Sequence, residues 1–400
     1  MGFIYSIAIQ CYHLAIRLAA LFSKKAKNWL TVRKQWYREL SDKTDPKSTY
    51  CWIHCASAGE FEQAIPLVQA IRSADKSLKI AVSFFSSSGF ELFQDSGKAD
   101  LFFHSPIDSK KNQEHLIALL KPVFVLFIRN EIWWNTLTQL KMKGIPTYLV
   151  NAPKGQKRSF FYQIYLNNAY SLFTKIFDTS AYGNTKLEKV LANRQEVFTD
   201  KILDDFCNGA TVILAGSSWQ TEEISIASFY QSHRTQFPDL KIIIAPHEYD
   251  ENKADELEKI FSGGQATNTN NVVLYSRYTD CKNNPSVLFL DKKGMLKYAY
   301  RYAKIAVIGG GFDKTVHNVA EAAVYGIPTL FGPNYKKFEE ITDMVNRHVA
   351  FSVNEYTEFE NKLFEWLSSP HKLTEIHDLL DVYFEQQEKV AERIIAEILP

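Results

Sequence analysis

The sequence predicts an α/β protein of two doubly wound domains, each a parallel sheet wrapped by crossover helices. Three observations carry that prediction. Short apolar runs alternate with amphipathic stretches of helical length almost without a break. Twelve such runs exceed what one open sheet usually holds. The 400 residues, 46% hydrophobic and 23% charged, supply two to three domains of ordinary size with real cores. The same composition excludes a disordered chain, a collagen-like fibre and a coiled coil. With 46 Lys and Arg against 45 Asp and Glu, no global basic field points to nucleic acid.

The first element is an apolar helix. Phe3 to Phe22 holds 16 apolar residues in 20, and its exceptions are Ser6, Gln10, His13 and Arg17. Spacings of four, three and four put all four on one side of a helix. A cationic collar follows, Lys24, Lys25, Lys27, Arg33, Lys34 and Arg38, and the first acid is Glu39. Apart from this segment the chain is net acidic. Positive charge after rather than before the apolar run is unlike a cleaved signal peptide. It marks a cytoplasmic flank and attracts anionic lipid. Residues 1–40 therefore read as a membrane-associating helix, interfacial or singly spanning, against the alternative of a soluble packing helix. Five cysteines, Cys11, Cys51, Cys55, Cys207 and Cys281, are an odd number and read as reduced thiols. His54 between Cys51 and Cys55 lacks a second cluster to complete a zinc site.

The first strand series is Tyr50–Cys55, Lys79–Phe84, Leu101–His104, Val123–Phe127, Thr147–Val150 and Lys175–Asp178. Helices Phe61–Ser73, Lys110–Leu120 and Ile132–Lys143 lie between. The second series is Thr211–Ala215, Lys241–Ala245, Val272–Tyr275, Val287–Leu290, Ile305–Ile308 and Thr329–Phe331. Its helices are Glu222–Gln236, Glu251–Phe261 and His317–Tyr325. The domains are expected to meet near 195–210, and the stretch Leu373–Leu399 reads as helical. Ligands of open parallel sheets bind beyond the carboxyl ends of strands, so the chemistry is expected in loops facing a cleft between the domains.

Four loops carry candidate residues. Ser57-Ala58-Gly59-Glu60 reads two ways: Ser-x-x-Glu before an apolar helix is a capping box, and Glu60 at a strand end can also take a proton from an attacking hydroxyl. Gly59 would admit close substrate approach. Arg129-Asn130-Glu131-Ile132-Trp133-Trp134-Asn135 offers polar groups at a strand end, and two tryptophans that stack on a sugar or fill the core. Ala215-Gly216-Ser217-Ser218 is an anion site or a plain N-cap, with Ala245-Pro246-His247-Glu248 at a neighbouring strand end. Ile305–Ile308 runs into Gly309-Gly310-Gly311, then His317, Asn318 and Glu321, then Gly326-Ile327-Pro328. Glycine loop and helix start suit a phosphate, although the run is neither GxGxxG nor a P-loop.

These four loops, in this order, resemble the Kdo (3-deoxy-D-manno-octulosonic acid) transferases of lipopolysaccharide synthesis. The most specific pieces are His54 through Glu60 and Gly309 through Pro333. The resemblance implies a GT-B glycosyltransferase fold with no metal or other cofactor. It implies a CMP-Kdo donor, a lipid A precursor acceptor, and Glu60 as general base. It assigns residues 45–200 to an acceptor domain with Ser57, Gly59 and Glu131 as contacts. Residues 205–372 become the nucleotide-sugar donor domain, followed by a helical segment at 373–400. Donor contacts are Ser217, Ser218, Pro246, His247, Gly294, Met295, Gly309, Gly310, Gly311, His317, Asn318 and Glu321. The expected setting is the cytoplasmic face of a bacterial inner membrane, with an anionic lipid surface as partner and no obligate protein partner. The chain departs from the family at Arg129, where a glutamate is usual, at Pro153, where an arginine is usual, and around Thr199–Asp204. A GT-B enzyme using a UDP-sugar and an inactive membrane-anchored binding protein are the alternatives.

Overall fold

A computed structural model describes residues 2–129, 132–152, 160–263, 271–280 and 284–399. The chain divides into two compact units, Met1–Lys189 with Gln387–Pro400, and Val190–Gln386. The division thus falls before the expected junction, and the stretch after Gln387 returns to the first unit.

The first unit contains β1 (Tyr50–Cys55), β2 (Lys79–Phe84), β3 (Leu101–His104), β4 (Pro122–Ile128), β5 (Thr147–Ala152) and β6 (Lys175–Asp178). Their order is β3-β2-β1-β4-β5-β6, and every pairing is parallel. All six residues of β1 are buried, as expected of a central parallel strand covered on both faces. Its alternation feeds two cores. Tyr50 and Trp52 pack with Leu40, Leu116 and Leu140, whereas Cys51, Ile53 and Cys55 pack with Phe61, Leu67 and Ile394.

Four helices precede or follow β1: α1 (Gly2–Ala19), α2 (Lys24–Thr31), α3 (Trp36–Lys43) and α4 (Ala58–Ala74). α1 has no buried residue, yet it is docked. The Tyr5 hydroxyl donates to Asp108 at 2.8 Å and Ser6 donates to Asn135 at 3.2 Å. The predicted polar stripe lines the cavities between α1 and the body of the unit. The apolar side points outward, with Ile4 69%, Leu14 58% and Leu18 58% exposed. Among the described residues no helix is long and apolar enough to cross a membrane.

The second unit contains β7 (Thr211–Ser218), β8 (Leu240–Pro246), β9 (Val272–Leu274), β10 (Val287–Phe289), β11 (Ile305–Ile308), β12 (Thr329–Phe331) and β13 (Phe351–Ser352). These form one parallel sheet in the order β13-β12-β11-β7-β8-β10-β9. One predicted helix changes. His317–Tyr325 shrinks to Ala320–Ala323, and Val316 and His317 lie ahead of it with their N–H groups on the Asn334 and Gly309 carbonyls. The helical stretch Leu373–Leu399 comprises Pro370–Glu385 and Val390–Ile398, separated where Lys389 takes a left-handed conformation, φ 53°.

Candidate active site

In each unit the strand order reverses between two central strands, which opens a crevice at their carboxyl ends. In the first unit these strands are β1 and β4, in the second β7 and β11. The candidate loops follow those strands.

At the end of β1, Ser57 is the N-cap of α4 but its side chain caps nothing. The capping box does not form. Glu60 instead accepts the backbone N–H of Ala56, one residue before the cap, at 2.5 Å. The carboxylate is half-buried, while Ser57 and Gly59 are exposed. Among the described residues, a Cβ on Gly59 would meet nothing within 4 Å. One turn further, Gln63 accepts the Asn151 amide at 3.1 Å. Asn151 also donates to Thr185 at 2.8 Å, and Thr185 donates to the Gln63 carbonyl at 2.6 Å. This buried triangle fixes α4, and with it Glu60, to the end of β5. Asn151 stands two residues before the departure at Pro153 and was not itself singled out. Gln63 and Thr185 carried no local signal, because they meet only in the fold.

His54 is buried on β1, with Nδ1 2.7 Å from the Ser83 hydroxyl. That hydroxyl also receives the Trp52 indole N–H at 2.8 Å. His54 therefore braces the strand from inside. Trp133 packs against His54 and Phe85 at ring distances of 6.0 and 5.0 Å, filling space beneath the loop. Glu131 lies outside the described residues, as do Asn130 and Pro153. Arg129 is described, in a left-handed conformation (φ 66°), with its N–H on the Val150 carbonyl.

In the second unit Ser217 takes φ 51° and turns the chain out of β7. The Ser218 hydroxyl is buried and donates to Glu223 at 3.0 Å, and Glu223 pairs with Lys253 at 2.6 Å. Ser218 is thus committed internally, and Ser217 is the hydroxyl at the loop surface. The glycine run is also partly committed. Gly309 donates its N–H to the Gly216 carbonyl, and Gly310 donates to Glu222 at 3.0 Å. A Cβ on Gly309 would lie 2.0 Å from the Ser217 carbonyl oxygen, and one on Gly311 would lie 2.6 Å from Gly332 N. These glycines serve first to let the loops after β7, β11 and β12 pack backbone on backbone, a different use from the phosphate cradle expected.

Glu222 joins those loops, accepting the N–H groups of Trp219 and Gly310 on separate oxygens. Burial pushes its carboxyl up, against the pull of those amides. The loop surface is aromatic and basic. His247 stacks on His317 at 4.2 Å, and Trp219 lies 5.1 Å from His247. The Trp219 indole donates to His317 Nε2 at 3.3 Å. Lys314 sits 3.3 Å over the Trp219 ring. Burial, His247 and Lys314 hold the His317 imidazole below its usual range, so it is neutral near pH 7. Asn318 donates to Glu321 at 2.9 Å. The Tyr300 hydroxyl packs on Gly216, and after burial itself the Glu321 charge is what raises it.

The structure therefore brings Ser217, His247, His317, Asn318 and Glu321 to one end of the second sheet. Pro246 ends β8 there, and Gly294 (φ 81°) and buried Met295 follow β10 at the same end. Trp219, Glu222, Tyr300 and Lys314 were missed. Trp219 alone had a sequence signal, an aromatic directly after the Gly-Ser-Ser turn. Among the described residues no cluster of three or more His, Cys, Asp or Glu side chains is placed to hold a metal ion.

Residues 29–201 match the family model for 3-deoxy-D-manno-octulosonic-acid transferase. The 3-deoxy-D-manno-octulosonic acid transferase of Aquifex aeolicus is 27% identical over 79% of this chain and 86% of its own length. That of Haemophilus influenzae is 23% identical over 86% and 84%. A bifunctional glycosyltransferase/methyltransferase of Fusobacterium nucleatum is 24% identical over 96% of this chain, which spans only 61% of that protein. Among solved structures, MurG of Acinetobacter baumannii matches 88% of this chain with a TM-score of 0.54 at 12% identity, covering 99% of its own. The UDP-GlcNAc 2-epimerase of Neisseria meningitidis matches 88%, with a TM-score of 0.58 at 14% identity and 98% of its own chain covered. These likenesses are of fold, two parallel-sheet α/β domains. Taken with the family match over residues 29–201, they show a chain similar to the Kdo transferases and built on the GT-B glycosyltransferase fold.

Proposed function

We propose that this chain transfers Kdo from CMP-Kdo to a hydroxyl of a lipid A precursor, inverting the anomeric centre, with Glu60 as general base. The observation that carries the reading is the setting of Glu60. It stands beyond the carboxyl end of a central strand, at the reversal point of the sheet, with its carboxylate held by the Ala56 N–H instead of closing a capping box with Ser57. A carboxylate so held accepts the acceptor's proton as the hydroxyl oxygen bonds to the anomeric carbon. The bond from that carbon to the phosphate oxygen breaks, and CMP leaves with both electrons. Negative charge grows on the phosphate, and Lys314 together with the Ser217 hydroxyl are the groups of the second unit that meet it. Trp219 and the His247–His317 stack offer flat surfaces to the nucleotide base.

The test is incubation of purified protein with CMP-Kdo and a lipid A precursor, with mass analysis of the product. Glu60→Gln should lower the rate by about two to four orders of magnitude with little loss of CMP affinity. Wild-type transfer by Glu60→Gln would remove Glu60 from the mechanism. Transfer from a UDP-sugar but not from CMP-Kdo would overturn the donor.

The outward apolar side of α1 supports a second part of the reading, attachment to the cytoplasmic face of the inner membrane. A chain lacking residues 1–22 should pellet less with anionic vesicles than the full chain. Equal pelleting would end this part.

A further inference from the structure

Between α1, α2 and the loop after β3 lies a cavity of about 460 Å³ lined by His13, Arg17, Arg33, Lys34, Trp36 and Asn112, among others. Among the described residues its polar lining is cationic or neutral, without a carboxylate. Arg33 is only 5% exposed. Its guanidinium donates to the carbonyls of Ser105, Trp29 and Phe85 and lies 3.9 Å over the Trp29 ring. Carbonyls and a ring solvate the cation, but they do not neutralise it. Among the described residues neither Arg17, Arg33 nor Lys34 has a carboxylate partner. A buried guanidinium is normally paired with an anion.

The surrounding field confirms the imbalance. His13 is held below its usual range by burial and then by Arg17. His104 falls to about 4, through burial and then Arg33 and Lys43. The fold thus concentrates positive charge around an open, partly apolar hollow and leaves the counter-charge to be supplied. Arg17 and Lys34 are exposed at the rim, and Asn112 lies in the first turn of the helix Lys110–Leu120. Leu14 and Leu18, each 58% exposed, lie beside the rim on α1.

We propose that this cavity is a phosphate-binding site for a phosphate ester, whether carried on a membrane lipid or free in solution. Fixed guanidinium groups and an ammonium suit a compact dianion. The assignment does not depend on the transfer reaction.

The experiment titrates the full chain by calorimetry with short-chain phosphatidic acid below its micelle concentration, with the matching diacylglycerol, and with inorganic phosphate. Three proteins are compared: wild type, Arg17→Gln with Lys34→Gln, and Lys24→Gln with Lys25→Gln. The last pair removes the same charge from the same segment without lining the cavity. Both double variants sit at the surface, and an unchanged melting midpoint verifies their folding. The expected result is saturable binding of phosphatidic acid, weakened roughly tenfold or more by the rim pair and only about twofold by the other. Phosphatidic acid binding without inorganic phosphate binding identifies a lipid source, and comparable binding of both identifies a free ester. No saturable binding of either, equal binding of diacylglycerol, or equal weakening by both pairs overturns the site.

Discussion

Gly309→Ala tests whether the glycine run is a packing device. The added Cβ would lie 2.0 Å from the Ser217 carbonyl oxygen and 2.6 Å from the Ser218 Cα. Both are backbone atoms of the adjacent loop, so no side chain can swing aside. Ordinary contact requires the two loops to part by roughly an ångström. The hydrogen bond from the Gly309 N–H to the Gly216 carbonyl holds them in the opposite sense. Overpacking of this kind costs about 1–3 kcal/mol. For a unit of roughly 200 residues that lowers its melting midpoint by about 2–12 °C. Displacement of Ser217 should also weaken CMP binding, by about tenfold or more. Differential scanning calorimetry of the full chain reads the first effect and CMP titration the second. A midpoint within about 1 °C of wild type, with unchanged CMP affinity, would refute the packing argument.

Two further outcomes are expected in the first unit. Gly59→Ala has room for its methyl group and sits in the first turn of α4, so it should raise stability by about 0.5–1 kcal/mol. If acceptor passes close over that turn, KM for acceptor should nevertheless rise; unchanged kinetics would remove Gly59 from the acceptor path. Glu188 gives a pH effect of defined sign. Burial raises its carboxyl from 4.5 to about 7, although the Ala391 N–H pulls the other way. The folded chain therefore keeps this proton where the unfolded chain has released it. Its contribution is full below pH 4.5 and is lost as pH rises through 7. Glu188→Gln should flatten the fall in melting midpoint between about pH 5 and 8, and an unaltered slope would show that another group dominates.

The sheets were legible because central parallel strands are buried on both faces and read as unbroken apolar runs. Tyr50–Cys55, Lys79–Phe84 and Ile305–Ile308 have the boundaries expected. Phe351–Ser352 was not legible, because two residues carry no period. The helix expected at His317–Tyr325 failed for a tertiary reason. Helical pattern was present, but Val316 and His317 are tied to the Asn334 and Gly309 carbonyls of neighbouring loops, and the chain turns helical only from Ala320. Site legibility divided the same way. Glu60 and the histidines stood out because loop positions after strands are chemically distinctive. Ser-x-x-Glu spacing could not reveal which amide Glu60 takes, since Ser57 and Ala56 N–H groups are neighbours. Gln63, Thr185, Glu222 and Tyr300 were invisible, because each acts on a partner distant in sequence. The stripe of Ser6, Gln10, His13 and Arg17 was seen, but spacing alone does not say which side of a helix faces its own protein.

The return of residues 387–400 to the first unit makes the second unit, in chain terms, an insertion within the first. Val390, Ala391, Ile394 and Ile395 are at most 1% exposed, in the same core as Phe61, Leu67 and β1. During synthesis the second unit is complete while one face of the first sheet still lacks its cover. Helix α4, which carries Glu60, packs against that missing cover. A chain ending at residue 386 and released from the ribosome would therefore hold a finished second unit and an unfinished first one, with apolar surface exposed around α4. The order of birth runs against the order of sequence: the unit that starts first is the last to close.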